Sequence, residues 1–100
     1  MIINEQKLIK LKELDKIKVN DLELEILEKR PDANLDAKKE IIEEWYEITL
    51  VNNKQEYRLI IYISDQDQKP IFQKIKRSSI SNPWEFDIIE EIKVHNLQML

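Results

Sequence analysis

The residues best equipped for chemistry in this chain are its carboxylates. Residues 19–47 hold ten acids against four bases: Asp21, Glu23, Glu25 and Glu28, then Asp32 and Asp36, then Glu40, Glu43, Glu44 and Glu47. A few such groups, with water and substrate oxygens, can hold Mg²⁺. A row of them can imitate the phosphate spacing of a nucleic acid and occupy a basic groove on a partner. The plainest reading is a solvated acidic face. Metal-dependent nuclease chemistry would need Pro-Asp followed by Glu-x-Lys on a strand. Pro31-Asp32 and Glu91-Ile92-Lys93 have those residue types, but they stand 59 residues apart and helical spacing claims the second. The expectation is therefore no metal site.

The other chemistries are excluded by missing residue types. The 100 residues include no glycine and no cysteine, where about 7% glycine is usual. Phosphate-cradling loops and the G-x-S-x-G elbow need glycine, so both are absent. Without cysteine there is no thiolate nucleophile, disulfide or thiolate zinc site. His95 is the lone histidine, so no two-histidine metal site can form. Its neighbours, Lys93-Val94-His95-Asn96, predict the last turns of a helix, with His95 facing solvent and favourably placed against the helix dipole. No catalytic residue and no cofactor is expected, and the chain reads as a non-enzymatic protein.

Two further constellations point to binding. Strand alternation puts Glu43, Trp45, Glu47 and Thr49 on one face of a hairpin, beside Arg58, Ile60 and Tyr62. An apolar-aromatic centre with a charged rim is the anatomy of a protein-binding patch. The competing reading is that a helix covers this face and makes Trp45 and Tyr62 core. The second is the basic run from Lys69 to Arg77, with no acid between residues 68 and 77. Phe72, Lys74 and Lys76 share a strand face there, so the ring could stack on a base while Lys69, Lys74, Lys76 and Arg77 touch phosphates. The competing reading is an edge strand guarded by lysines.

These residues must be positioned by local structure. Asn4 can cap a helix of about residues 5–15 with Leu8, Leu11 and Leu14 on its apolar side. Residues 17–28 alternate as a strand, Leu22, Leu24 and Ile26 against Glu23 and Glu25, stopped by Pro31. Residues 32–40 read equally as loop or short helix. A hairpin follows, with Tyr46, Ile48 and Leu50 sharing a face with Tyr57, Leu59, Ile61 and Ile63. An Asn52-Asn53 turn would set Ile48 opposite Tyr57 and Glu47 opposite Arg58. A fourth strand of about residues 71–77 turns Ile71 and Ile75 inward. Asn82, Pro83 and Glu85 look like a helix start, and Trp84, Ile88, Ile89 and Ile92 follow at helical spacing. The expected fold is one α+β domain over residues 1–100: a four-stranded antiparallel sheet with an N-terminal and a C-terminal helix, α-β-β-β-β-α.

The function expected from this reading is protein binding. A net charge of −4 argues against general coating of nucleic acid and suits a larger protein with a basic, even nucleic-acid-binding, surface. The partner-binding residues expected are Glu43, Trp45, Glu47, Arg58, Ile60 and Tyr62, with Glu23, Glu25 and Glu28 as acidic support. The alternatives are a nucleic-acid-binding or nuclease-associated module using Lys69, Phe72, Lys74, Lys76 and Arg77, and a structural homo-oligomer. No apolar run reaches the roughly 20 residues of a membrane span, and Met1-Ile2-Ile3-Asn4-Glu5 lacks the apolar core of a signal peptide, so a cytoplasmic protein without membrane contact is expected. Isoleucine outnumbers leucine, and arginine occurs only at Arg30, Arg58 and Arg77. Such AT-rich codon usage suggests a low-GC bacterium or its mobile elements. Small acidic proteins of that origin often inhibit a larger host protein, as anti-defence proteins, immunity proteins and antitoxins do.

Overall fold

The computed structural model describes residues 5–65, 67–78 and 85–100. One short helix, α1 (Glu5–Lys10), precedes seven strands: β1 (Lys16–Val19), β2 (Leu22–Leu35), β3 (Ile41–Asn52), β4 (Gln55–Tyr62), β5 (Ile71–Arg77), β6 (Phe86–Ile92) and β7 (Leu97–Met99). They form a single antiparallel sheet in the order β6-β5-β4-β3-β2-β1-β7. The fold is thus nearly all β, and the expected four-stranded sheet with two helices is wrong.

The sheet cannot be flat. β6 and β7 are its opposite edges, and seven strands laid flat would put them roughly 29 Å apart at the usual 4.8 Å spacing. The chain nevertheless passes from Ile92 to Leu97 in five Cα steps, a reach of at most about 18 Å. The sheet therefore curls into a half-barrel that is tied at one end. Asn20, in the β1–β2 turn, makes the tie. Its Nδ2 donates to the Lys93 carbonyl at 3.0 Å, its Oδ1 accepts from the His95 N–H at 2.7 Å, and its own N–H donates to the Asn96 carbonyl at 2.7 Å.

The concave side holds the core. Ile17, Val19, Leu24, Ile26, Ile48, Leu50, Leu59, Ile61 and Phe72 meet there, and Leu8 and Leu11 plug it from α1 and the residue following it. α1 is shorter than the expected helix, and its Asn4 cap lies outside the described residues. The chain turns away after Lys10 and reaches Leu14 with φ 74°. There the Leu14 N–H donates to Ile26, outside any helical pattern.

Three strand assignments need correction. Pro31 does not stop β2, which runs on to Leu35. On β2, β1 covers only Leu22 to Glu25, so Pro31 stands opposite Tyr46 of β3 and no described strand lies on its other side. Its missing N–H costs nothing there. The β3–β4 hairpin exists, but its turn is Asn53-Lys54 (φ 47° and 66°), with Asn52 opposite Gln55. Two positive φ values make the turn twist with the strands. The register therefore shifts by two: Ile48 faces Leu59, and Glu47 faces Ile60. A shift by two preserves faces, so the expected core side of the hairpin stands. In β5 the faces are exchanged: Phe72 is in the concave core, and Ile71 and Ile75 lie on the other side with Ile60 and Glu56, where Ile75 is buried all the same, at 2% exposure.

The C-terminal helix is the largest error. Its Asn82, Pro83 and Trp84 lie outside the described residues, but Phe86–Ile92 is a strand. Opposite β5 it sets Asp87 against Lys76 and Glu90 against Lys74, and such opposite-charge pairs stabilise a ladder. Ile88, Ile89 and Ile92 fit helical spacing, but β-branched residues favour strands once a partner is available. His95 accordingly sits in the β6–β7 connection rather than in a helix.

Candidate functional surface on the convex face

Strand alternation builds the convex face in rows. One row runs Asp32, Trp45, Tyr62. The next runs Arg30, Glu47, Ile60, Ile71. A third runs Glu28, Thr49, Arg58, Gln73, Glu91. α1 packs on the concave side, so no described helix covers these rows. All six residues expected in the patch, Glu43, Trp45, Glu47, Arg58, Ile60 and Tyr62, lie on this face.

The apolar centre is compact. Trp45 and Tyr62 stand directly opposite each other, ring centroids 6.2 Å apart and tilted by 56°. Ile60 is only 5% exposed, and Gln73 and Ile75 on the same side are 5% and 2% exposed. The Trp45 indole N–H is buried with no acceptor among the described residues, a costly state for a polar group.

Beside this centre runs a ladder of hydrogen bonds across five strands. Glu47 accepts from Arg30 Nη2 at 2.9 Å and from Arg58 Nε at 2.5 Å. Arg58 Nη1 donates to Gln73 Oε1 at 3.1 Å, and Gln73 Nε2 donates to Glu91 Oε1 at 3.0 Å. The Arg30 Nη1 also pairs with Asp32 at 3.6 Å. The Arg58 guanidinium lies 5.4 Å from the Phe86 ring centroid, within cation–π range. Glu47 and Arg58 thus meet diagonally, one register step away from the expected opposition. The sequence reading missed Arg30 and Gln73. Glu28, Arg30 and Asp32 alternate on β2, but treating Pro31 as a strand end hid that signal.

All three arginines, with Glu47, Thr49 and Phe86, line one hollow of about 20 Å³, room for about one water. Wider hollows of about 390 and 340 Å³ lie along the sheet margins. Among the described residues no group of three His, Cys, Asp or Glu side chains is placed to hold a metal. What the face offers chemically is an apolar-aromatic surface next to a rigid charge ladder.

The remaining candidates are dispersed. Glu23 pairs with Lys16 at 3.6 Å, and Glu25 stands between Lys16 and Val51. They occupy the end of β2 away from Trp45, with Val51 about 20 Å from Trp45 along β3, whereas Glu28 stands in the Thr49–Arg58 row. The basic run loses its aromatic platform: Phe72 is 2% exposed and stacks on Tyr57 at 5.2 Å. Lys74 and Lys76 stand opposite acids of β6, and Arg77 Nε donates to Glu56 at 3.0 Å. Lys69 is exposed, just before β5.

One feature had no signal in the sequence reading. β2 and β3 continue beyond the end of β4 as a two-stranded arm, with Asn34 opposite Glu43 and Leu35 opposite Ile41. Its tip is ordered: Asp36 Oδ1 accepts from the N–H groups of Lys38 and Glu40, and Lys39 takes φ 62°. Ile41 and Ile42 are 58% and 63% exposed.

No family profile, curated protein or solved structure matches this chain.

Proposed function

We propose that this protein is a non-enzymatic, cytoplasmic binding module that docks its convex face on a larger protein with a basic surface and inhibits that protein by occupying it. The Trp45–Tyr62 pair, on a sheet face without a described covering element, carries the reading. Aromatic side chains beside arginines are the usual anchors of protein interfaces. The pair is continuous with the β2–β3 arm, whose exposed isoleucines extend the apolar surface. Asp36, Glu40, Glu43 and Glu44 on that arm outnumber Lys38 and Lys39, which suits a basic counter-surface. In this reading the Glu47–Arg58 ladder holds the face rigid, so little ordering entropy is lost on docking. No described helix is long and apolar enough to cross a membrane.

The test is affinity capture from lysate of the source organism or its host, with wild type and a W45A/Y62A variant whose fold is verified by circular dichroism. Wild type should retain one stoichiometric protein that the variant loses, an affinity drop of at least about 100-fold for two anchors of roughly 2 kcal/mol each. Equal retention by both proteins would remove the convex face from the argument. Nucleic acid captured without protein would replace the reading with direct nucleic-acid binding.

A further inference from the structure

Among the described residues, β6 leaves one side of its backbone without a ladder. It is the terminal strand of the sheet and bonds β5 alone, so alternate N–H and C=O groups along Phe86–Ile92 face away from the sheet. Edge strands are usually blunted by charged side chains, above all lysine, by proline, by a bulge or by extreme shortness, and β6 has three acids and a register irregularity between Ile88 and Glu90. β6 has seven residues, with neither lysine nor proline among them. Ile88 and Ile89 are 51% and 52% exposed. The strand's charges, Asp87, Glu90 and Glu91, are all negative.

The chain already displays what such a strand pairs with. On the bonded side, β5 sets Lys76 opposite Asp87 and Lys74 opposite Glu90. Asp87 and Glu90 share the concave side with Ile92, yet both stay exposed, because the sheet ends there. Their carboxylates are therefore open to a second basic strand arriving from the free edge.

We propose that the free edge of β6 takes up an extended, basic segment of a partner protein by strand addition, with lysines or arginines at alternating positions standing opposite Asp87 and Glu90. Backbone hydrogen bonds supply affinity in this mode, and the alternating side chains supply selectivity. A second copy of β6 fits poorly. It would bring three more carboxylates to an edge that already carries Asp87, Glu90 and Glu91, and like charges across a ladder are destabilising. The site is separate from the Trp45 surface and does not depend on its role.

The experiment titrates isotope-labelled full-length protein with a synthetic peptide alternating lysine and threonine, about ten residues long. A glutamate–threonine peptide and a lysine peptide with a central proline are the controls. Amide shifts and slowed hydrogen exchange should concentrate on β6. The lysine peptide should bind at least about tenfold more tightly than the glutamate peptide, from two charge pairs reversed. D87K/E90K should invert that preference. If that variant does not fold, D87N/E90Q must weaken the lysine peptide about threefold. W45A should leave binding unchanged. Perturbations away from β6, equal affinity for the two charged peptides, or tolerance of the central proline would each overturn the proposal. Concentration-dependent protection of β6 without peptide would overturn it in favour of self-pairing.

Discussion

Lys29 shows how one side chain can hold an element that is too short to hold itself. A six-residue helix leaves its last carbonyls without intrahelical partners. Lys29 Nζ donates to the carbonyls of Leu8 and Ile9 at 2.7 and 2.8 Å, and lies 4.9 Å from the Tyr46 ring centroid. Burial lowers its pKa below the ordinary 10.5, partly offset by Asp15. Below the folded-state pKa both states carry the charge, and Lys29 adds no pH dependence. Between that pKa and 10.5 the unfolded chain binds more protons, so the Lys29 contribution to stability rises with pH. Lys29→Met should cost about 1 kcal/mol at neutral pH through the orphaned carbonyls. The gap between wild type and variant should widen on approach to pH 10.5 in denaturant titrations; a constant gap would contradict the assignment. None of this is visible in the sequence, where Lys29 is one more charge between Glu28 and Arg30. Its role depends on where Leu8 comes to rest.

At the scale of elements, the local reading holds for the faces of one hairpin and fails for most of the rest. The β3–β4 hairpin follows from period-two alternation, and the convex location of Trp45, Ile60 and Tyr62 follows with it. The turn was misplaced by one residue because Asn52-Asn53 looks better than Asn53-Lys54. Asparagine accepts positive φ more readily than lysine. The register is decided instead by the whole ladder. Asn52, displaced from the turn, sends its Nδ2 to the Glu23 carbonyl at 2.8 Å. The chain thus keeps Lys54 at φ 66° in a type of turn where glycine is favoured. Lys54→Gly should stabilise the protein by about 1 kcal/mol, seen as a raised denaturation midpoint with unchanged slope. A lowered midpoint would mean that Lys54 makes an interaction outweighing its backbone strain. β6 fails as a local reading for the complementary reason. Its isoleucines satisfy two periodicities, with a register irregularity opposite Lys74 and Ile75. The basic residues of β5, in the preceding strand and outside the window that periodicity reads, favour the strand.

At the scale of the whole molecule, charge is the property most directly legible and least dependent on fold. The acidic excess between residues 19 and 47 survives the correction from two helices to seven strands, because β2, β3 and their connecting arm carry it as one continuous stretch. Within it, Glu23 and Glu25 lie about 20 Å or more from Trp45, and Glu28, opposite Thr49, about 13 Å away. Both distances are beyond the roughly 8 Å screening length at physiological salt. Glu23 and Glu25 are too distant to act as contacts at Trp45, Glu28 shares the convex row of Arg58, and all three shape the field that an approaching partner meets. Replacing all three with lysine moves the net charge from −4 to +2. In the docking proposed here, this should lower the association rate about tenfold or more at low salt, flatten its salt dependence and leave dissociation nearly unchanged. Stopped-flow measurement against the captured partner over a salt series separates the rates. A change confined to dissociation would mean that these glutamates touch the partner, and the interface would then have to extend across the full length of β2.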